Sequence, residues 1–379
     1  MFSFGLTGKA FQSEQLKCRN FLKRRTAMQT KIKFPSKRLL LLIFLAGVSV
    51  ILLESFEIPK GTSFLFNLLT MICGFLITSL SFIPSAIFKS RTDLDFMSFA
   101  HIKTPNAIIL VSAFYCLYFI YTAEYFLVKY CDMFSKKLNS EANIFAVALV
   151  LLSVCVYAAY KGTNAIARCS IFIFAFSFIV FVLIFTGNIS NLEINTTNFS
   201  FRGQKNDFIN NTSFFLTPAF TAVIFAVLSG YTKNFRPRQI VFSIIITAIV
   251  FALILFFTAF SLGEYAFAQD YRCFLLSKTT HFGDVGGFDS LYLSVSVLTV
   301  FLAISLILTC ICKSTGKSSS LPKILVFSII IFVLFICAEN FNAVKELLIN
   351  HYLFNILTFI SAVVIPTFYL IAFGRRLNE

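Results

Sequence analysis

Along this chain, runs of apolar residues alternate with short polar breaks. Ten such runs fall at 39–53, 63–88, 106–130, 144–160, 169–187, 214–231, 239–262, 288–312, 324–337 and 352–373. A hydrocarbon core about 30 Å thick is crossed by roughly 20 apolar residues in a helix, and the runs are of that order. Segments such as IVFSIIITAIVFALILFFTAF and SIFIFAFSFIVFVLIFTG carry no charge and no period of two. A membrane strand would alternate, so helices are favoured over barrel strands. The pattern predicts an all-α polytopic membrane protein with ten transmembrane helices.

The basic residues orient these spans, because loops on the cytoplasmic side retain Lys and Arg while acidic residues matter little. Lys9, Lys17, Arg19, Lys23, Arg24, Arg25, Lys31, Lys33, Lys37 and Arg38 precede the first span, so residues 1–38 read as a basic cytoplasmic segment and 39–376 as the membrane domain. Later inner loops hold Lys89, Arg91 and Lys103, then Lys161 and Arg168, then Lys233, Arg236 and Arg238, then Lys313, Lys317 and Lys323, then Arg375 and Arg376. Both termini are expected inside. Lys136, Lys137, Arg202, Lys205, Arg272 and Lys345 fall outside and run against the bias.

The composition agrees, with 58% hydrophobic and 13% charged residues. A soluble fold needs more polar surface than that. The net charge of +15 is mostly the topology signal plus attraction to anionic lipid. No basic patch is interleaved with stacking aromatics, so no nucleic-acid partner is expected. Residues 1–27 are polar and irregular, and Met28 opens a more ordinary beginning for a membrane helix, so Met28 is expected to be the physiological start and 1–27 not to be translated. The basic stretch is too long, and lacks a small-residue cleavage site, for a signal peptide.

Catalytic chemistry is not legible. No nucleophile elbow, phosphate loop, paired catalytic carboxylates or HExxH helix is present, so no enzyme is expected. The ten cysteines are scattered, Cys310 and Cys312 make a lone CxC, and His101, His281 and His351 lie apart, so neither a metal nor a cofactor is expected. Asn195, Asn198, Asn210 and Asn211 fit the N-x-S/T pattern in a predicted outer loop, a match an Asn-rich loop also makes by chance.

Polar and helix-breaking residues inside the spans carry more information, because each costs a few kcal/mol unless paired or facing a cavity. Gly47 and Ser49 interrupt the first span, and Ser229 and Gly230 end the sixth, which Pro218 enters. These are the first helices of two five-helix halves, and corresponding breaks in two halves point to a transporter-type site at the midplane, although close helix packing on small residues explains Gly47 equally well. Glu124 is a carboxylate inside the third span, about six residues from its outer end at 130, on one helical face with Tyr121, Tyr125 and Val128 and a turn beyond Tyr118. It suits a binding or relay role, or a snorkelling pair with Lys129. The candidate ligand-binding residues are therefore Gly47, Ser49, Tyr118, Glu124, Ser229 and Gly230.

LLLLIFLAGVSVIL in the first span, VYAAYKGTNAIARCSIFIFAFSF between the fourth and fifth, LTPAFTAVIFAVLSGY in the sixth, and the long outer segment from SLGEYAFAQDYRCF to VSVLTVFLAISL together resemble the spore germination permeases. These are the B subunits of nutrient germinant receptors, within the amino acid/polyamine/organocation transporter superfamily, and the resemblance runs from Met28 to Arg376. It implies a 5+5 inverted repeat with the first and sixth helices discontinuous around a small-molecule site. It implies also an amino acid-like nutrient as ligand, a larger membrane-anchored subunit and a lipoprotein subunit as partners, and the spore inner membrane or cell membrane as the location. The family's breaks match Gly47, Ser49, Ser229 and Gly230. Tyr118 and Glu124 come from membrane cost alone. The chain departs from the family in lacking Trp and in turning polar after Gly230, at YTKNFRPRQ. A shortened second half of the sixth helix would favour a sensor that binds without transporting. The alternative is a secondary transporter of an amino acid or organic cation coupled to H⁺ or Na⁺. A structural membrane scaffold with no ligand is a third reading.

Overall fold

The computed structural model describes residues 34–53, 63–92, 94–104, 107–138, 141, 143–193, 203–233, 235–263, 271–283, 285–315 and 320–373. The expected start at Met28 lies outside these residues, as do Asn195 and Asn198. Among the described residues are ten helices long and apolar enough to cross a membrane: α1 (Ser36–Leu53), α2 (Phe64–Arg91), α3 (Ile108–Lys137), α4 (Ile144–Lys161), α5 (Thr163–Asn191), α6 (Lys205–Tyr231), α7 (Pro237–Leu262), α8 (Asp289–Ser314), α9 (Leu321–Asn340) and α10 (His351–Phe373). The protein is an integral, multi-pass membrane protein.

Local chemistry sets where these helices begin. Gly162 alone, at φ +88°, turns the chain from α4 into α5, so α5 starts at Thr163 and not at 169. Only glycine adopts that φ without strain. The Asp207 carboxylate accepts from the Gln204 N–H at 3.0 Å and starts α6 nine residues before the apolar run at 214. The expectation of an outer loop at Asn210 and Asn211 is thereby corrected, since both lie in α6. Asn211 is buried and donates to Asn67 Oδ1 at 2.6 Å, which removes it as a glycosylation acceptor.

Burial sorts the helices into a centre and a rim. In α1, α6 and α8, 78%, 89% and 83% of the most apolar window is buried, against 28% in α5, α9 and α10. Rim side chains such as Leu76, Phe172 and Ile371 turn outward, a surface that suits hydrocarbon.

Much of the packing follows an exchange of each helix with the one five places on, although α1 packs on α8 far more than α6 packs on α3. The pair α1–α7 has its counterpart in α6–α2, α1–α5 in α6–α10, α4–α8 in α9–α3, α5–α8 in α10–α3, and α1–α3 in α6–α8, while α3–α8, α2–α7 and α4–α9 map onto themselves. Five spans are an odd number, so the second half enters the membrane from the opposite side, which makes the repeat inverted. Two short strands, β1 (Phe34–Pro35) and β2 (Thr232–Lys233), pair in parallel and join the chain entering α1 to the chain leaving α6. A hairpin, β3 (His281–Phe282) and β4 (Val285–Gly286), lies just before α8.

Two departures from the expected topology signal have structural causes. Lys345, on the helix Asn342–Leu348, bridges Asp132 Oδ1 at 2.7 Å and Glu339 Oε2 at 3.0 Å. Burial alone would lower its ammonium, but the hydrogen bonds and charges of the two acids hold it above its ordinary value. Lys137 sits over the Tyr271 ring, 5.7 Å from its centroid.

Helix α10 contains a π-helical turn at Ile360–Val364, followed by Pro366. In a π turn the carbonyl of Ser361 would accept from residue 366, and proline has no N–H to give. Tyr115 of α3 supplies the missing donor, its hydroxyl reaching the Ser361 carbonyl at 2.6 Å. Tyr115→Phe is expected to lower stability by about 1–3 kcal/mol through the buried carbonyl it orphans, read as a lower unfolding midpoint of the purified protein. An unchanged midpoint would show that α10 rebonds by itself.

Candidate functional site

Helix α6 is interrupted in mid-span, and proline is the cause. A helix runs from Lys205 to Leu216, a 3₁₀ turn covers Thr217–Ala219, and a second helix runs from Phe220 to Leu228. Pro218 has no N–H for the preceding turn. The Thr217 N–H tightens onto the Phe214 carbonyl, leaving the Ser213 carbonyl without its helical partner. Asn355 of α10 fills that place, donating from Nδ2 to the Ser213 carbonyl at 2.6 Å and to Ser213 Oγ at 2.9 Å. Thr221 Oγ1 donates to the Pro218 carbonyl at 2.7 Å.

The interruption packs against α1, α2 and α10, so it lies at the centre of the bundle. Two polar atoms there have no hydrogen-bond partner, Thr217 Oγ1 and Asn355 Oδ1, and both are buried. Unpaired buried polar atoms are costly, and here they sit beside the start of a nine-residue apolar helix whose first N–H, that of Phe220, is taken up by the Thr217 and Pro218 carbonyls. A hydroxyl and an amide acceptor left over at that point can hold a small polar ligand.

The residues singled out in the sequence do not gather there. Helix α1 is continuous from Ser36 to Leu53, so the expected discontinuity at Gly47 is corrected. Gly47 serves instead as a close-approach point, where an added Cβ would lie 3.3 Å from Thr247 Cγ2 of α7. The Ser49 hydroxyl returns to the Ala46 carbonyl at 2.7 Å, which keeps it satisfied inside an unbroken helix. The interruption of α6 likewise lies at Thr217–Ala219, and Ser229–Tyr231 is a closing 3₁₀ turn. The apolar half-helix that the polar turn after Gly230 predicts to be shortened is FTAVIFAVL, in front of that glycine and wholly buried. Tyr118 is committed to α10, its hydroxyl 3.0 Å from Thr358 Oγ1.

Glu124 is also displaced from expectation. Because α3 continues to Lys137, the carboxylate lies close to the middle of the helix and not near its end. It is fully buried, and neither oxygen has a hydrogen-bond partner. Phe126 packs on Phe220 of α6, with ring centroids 5.0 Å apart. Residues two apart point to nearly opposite sides of a helix, so Glu124 faces away from α6. Lys129 does not pair with it and lies over the Tyr125 ring, 5.8 Å from the centroid.

Ser229 and Gly230 belong to a polar closure at the end of α6 that also carries Lys233 and Lys313. Asp95 is the N-cap of the helix Phe96–Lys103, accepting from Ser98 N at 3.1 Å, and its backbone packs directly on Gly230. Burial pushes its carboxyl above the ordinary value, although the Ser98 bonds and the Lys313 charge act in the other direction. Lys313 of α8 lies 3.4 Å from the Tyr231 ring centroid and donates to Thr163 Oγ1 of α5 at 3.5 Å. Thr232 Oγ1 donates to the Ser229 carbonyl at 2.7 Å, next to the β1–β2 pairing.

Sequence reasoning missed Asn355, Thr217, Asp95 and Lys313. Asn355 was within reach, since the membrane-cost argument that raises Glu124 applies equally to an Asn inside HYLFNILTF. Asp95 carries the N-cap signature of an Asp three residues before its donor. The position of Lys313 over Tyr231 has no sequence signal, because the pair joins different helices. Among the described residues, no three His, Cys, Asp or Glu side chains gather as a metal site would require.

A family model described as spore germination protein matches residues 31–344. Among solved structures, the chain is similar to a nucleobase-cation-symport-1 family transporter in a closed conformation with bromovinylhydantoin bound, at TM-score 0.60 and 12% identity, covering 92% of this chain and 82% of that one. It is similar also to a substrate-bound, outward-open Na⁺-coupled sialic acid symporter, at TM-score 0.53 and 12% identity, covering 91% of this chain and 77% of that one. No curated protein matches the chain. Likeness at this identity speaks for the fold, which is that of these symporters.

Proposed function

Because this chain belongs to the spore germination permease family, we propose that it is the nutrient-sensing membrane subunit of a spore germinant receptor, binding an amino acid-like ligand at the α6 interruption beside α1. The observation that carries this reading is the buried break at Thr217–Ala219, with Thr217 Oγ1 and Asn355 Oδ1 unpartnered around it. A ligand carboxylate would meet the Thr217 hydroxyl, and a ligand ammonium would meet Asn355 Oδ1. Both termini lie in the cytoplasm on this reading, which places the Gly230 closure inside and the Lys345 bridge outside. The reading includes a larger membrane-anchored subunit and a lipoprotein subunit as partners, in the spore inner membrane, and no catalysis by the chain itself.

A second reading, a secondary transporter of an amino acid or organic cation coupled to H⁺ or Na⁺, draws support from the intact apolar half-helix Phe220–Leu228. That half-helix removes the structural argument for a lost transport cycle. One reconstituted preparation separates the two readings. The sensor is expected to show ligand-dependent thermal stabilisation from an amino-acid panel with no radiolabelled uptake above empty liposomes. Uptake of the same compound would make it a transporter, and no stabilisation by any compound would remove the ligand site.

A further inference from the structure

Helix α8 belongs to the buried centre of the bundle, yet its first half shows through the rim. Two apolar cavities meet on it. One, of about 560 Å³, lies between α3, α5 and α8 and is lined by Phe134, Leu138 and Phe176 with Ser290, Leu293 and Ser294. The other, of about 500 Å³, lies between α3, α4 and α8, against Val150, Val154 and Phe301. Both include Tyr130, Val297 and Leu298, so they are two lobes of one groove that forks there. If a methylene takes about the volume of a water in the liquid, roughly 30 Å³, each lobe holds about 16–18 carbons.

The depth of the groove excludes most apolar occupants. Along α8 its lining runs from Ser290 to Phe301, about 16 Å at the helical rise. That is the depth of one leaflet in a hydrocarbon core about 30 Å thick. Beyond it α8 is closed, and every residue from Leu302 to Cys312 is at most 2% exposed. A spanning helix of a partner would need a trough through both leaflets, and one helix would not fill two lobes. Two acyl chains meet both limits.

The mouth of the groove is polar. Ser290 and Ser294, one turn apart, are exposed there, and Ser294 Oγ donates to the Ser290 carbonyl at 2.9 Å. Lys137 follows Tyr130 by seven residues, on nearly the same face of α3 and next to the lining residue Leu138. A cation at the end of a lipid-facing groove suits a phosphate. Two acids at this end are engaged elsewhere, since Asp289 accepts from Ser290 N at 3.0 Å and Asp132 holds Lys345 at 2.7 Å.

We propose that this groove binds one diacyl phospholipid of the outer leaflet, with an acyl chain in each lobe and the phosphate on Lys137 beside Ser290. Only the word outer rests on the topology proposed above, and the site is independent of the ligand reading at α6.

Native mass spectrometry of the full chain, purified in detergent, stripped of lipid and titrated with palmitoyl-oleoyl phosphatidylglycerol, tests the site. The wild type is expected to take up one molecule well before any others. Ser294→Phe fills one lobe from an exposed position and is expected to lose that first step. Lys137→Gln is expected to weaken it about fivefold, the worth of one lysine to an anionic lipid, while binding of the matching diacylglycerol, which has no phosphate, stays unchanged. Ile371→Phe, on the far rim at α10, should bind as the wild type does. A wild-type series with no tight first step overturns the site without any variant, as does a first step that survives in Ser294→Phe at a wild-type unfolding midpoint. Equal phosphatidylglycerol binding in Lys137→Gln overturns the phosphate contact. A lipid-free dimer that Ser294→Phe dissociates makes the groove an interface between copies and overturns the lipid.

Discussion

Gly230→Ala is expected to abolish the nutrient response of spores while leaving germination by nutrient-independent triggers intact. An added Cβ would lie 2.7 Å from the Asp95 backbone nitrogen and 2.9 Å from Asp95 Cβ, inside any contact real side chains make. Asp95 cannot simply swing aside, because it caps the helix Phe96–Lys103 and its carbonyl accepts from Phe99 N at 3.0 Å. Either that helix or the closing turn of α6 must shift, and overpacking of this kind costs about 1–3 kcal/mol. The shift reaches Tyr231 and its Lys313 partner, and through Thr232 the strand pairing that ties α6 to the start of α1. Gly47→Ala is the matched control. Its Cβ would meet the Thr247 side chain, nearest at the methyl at 3.3 Å, a contact that can give by a few tenths of an ångström. Equal nutrient responses and unfolding midpoints in the two variants would remove the Gly230 closure from the mechanism.

The second large effect is expected at the α6 interruption. Asn355→Leu keeps the volume and removes the donor that satisfies the Ser213 carbonyl. An orphaned buried carbonyl costs about 1–3 kcal/mol, and although hydrogen bonds between membrane helices average only about 0.6 kcal/mol, this one replaces a backbone bond that Pro218 has already removed. Stability should fall toward the upper part of that range, and ligand-induced thermal stabilisation should be lost along with the Asn355 Oδ1 acceptor. Tyr352→Phe tests whether the effect is specific, because Tyr352 also donates to α6, at Asn210, but from an exposed position. It should leave ligand stabilisation unchanged. Ligand stabilisation that survives in Asn355→Leu would move the binding site elsewhere.

The two glycines show how far sequence reasoning carries. Both invite a reading as helix breaks because glycine is a poor helix former, with close packing an equal alternative at Gly47. In a bundle of apolar helices glycine has a second use, permitting close approach, and the two uses look identical in a single chain. Gly47 proved to be an approach to α7 and Gly230 an approach to Asp95. The true interruption is signalled by Pro218, whose lack of an N–H allows less ambiguity. Glu124 was legible as an anomaly from membrane cost alone. Its neighbours were not, since moving the end of α3 from 130 to Lys137 changes its depth, and the Phe126–Phe220 contact determines which way it faces.

The sequence by itself determined that this protein crosses the membrane ten times, in two comparable halves, because the hydrocarbon thickness and the absence of water demand helices of set length with few charges. It also singled out Glu124 as a polar anomaly there, while Asn355 and Thr217 went unmarked. Only the tertiary structure decided which of those residues meet. Uniformly apolar helices carry little rotational information, so the direction each side chain faces is set by packing against neighbours distant in the chain. That packing separated the α6 interruption with Asn355, the Gly230 closure with Asp95 and Lys313, and the Glu124 carboxylate of α3 into three places.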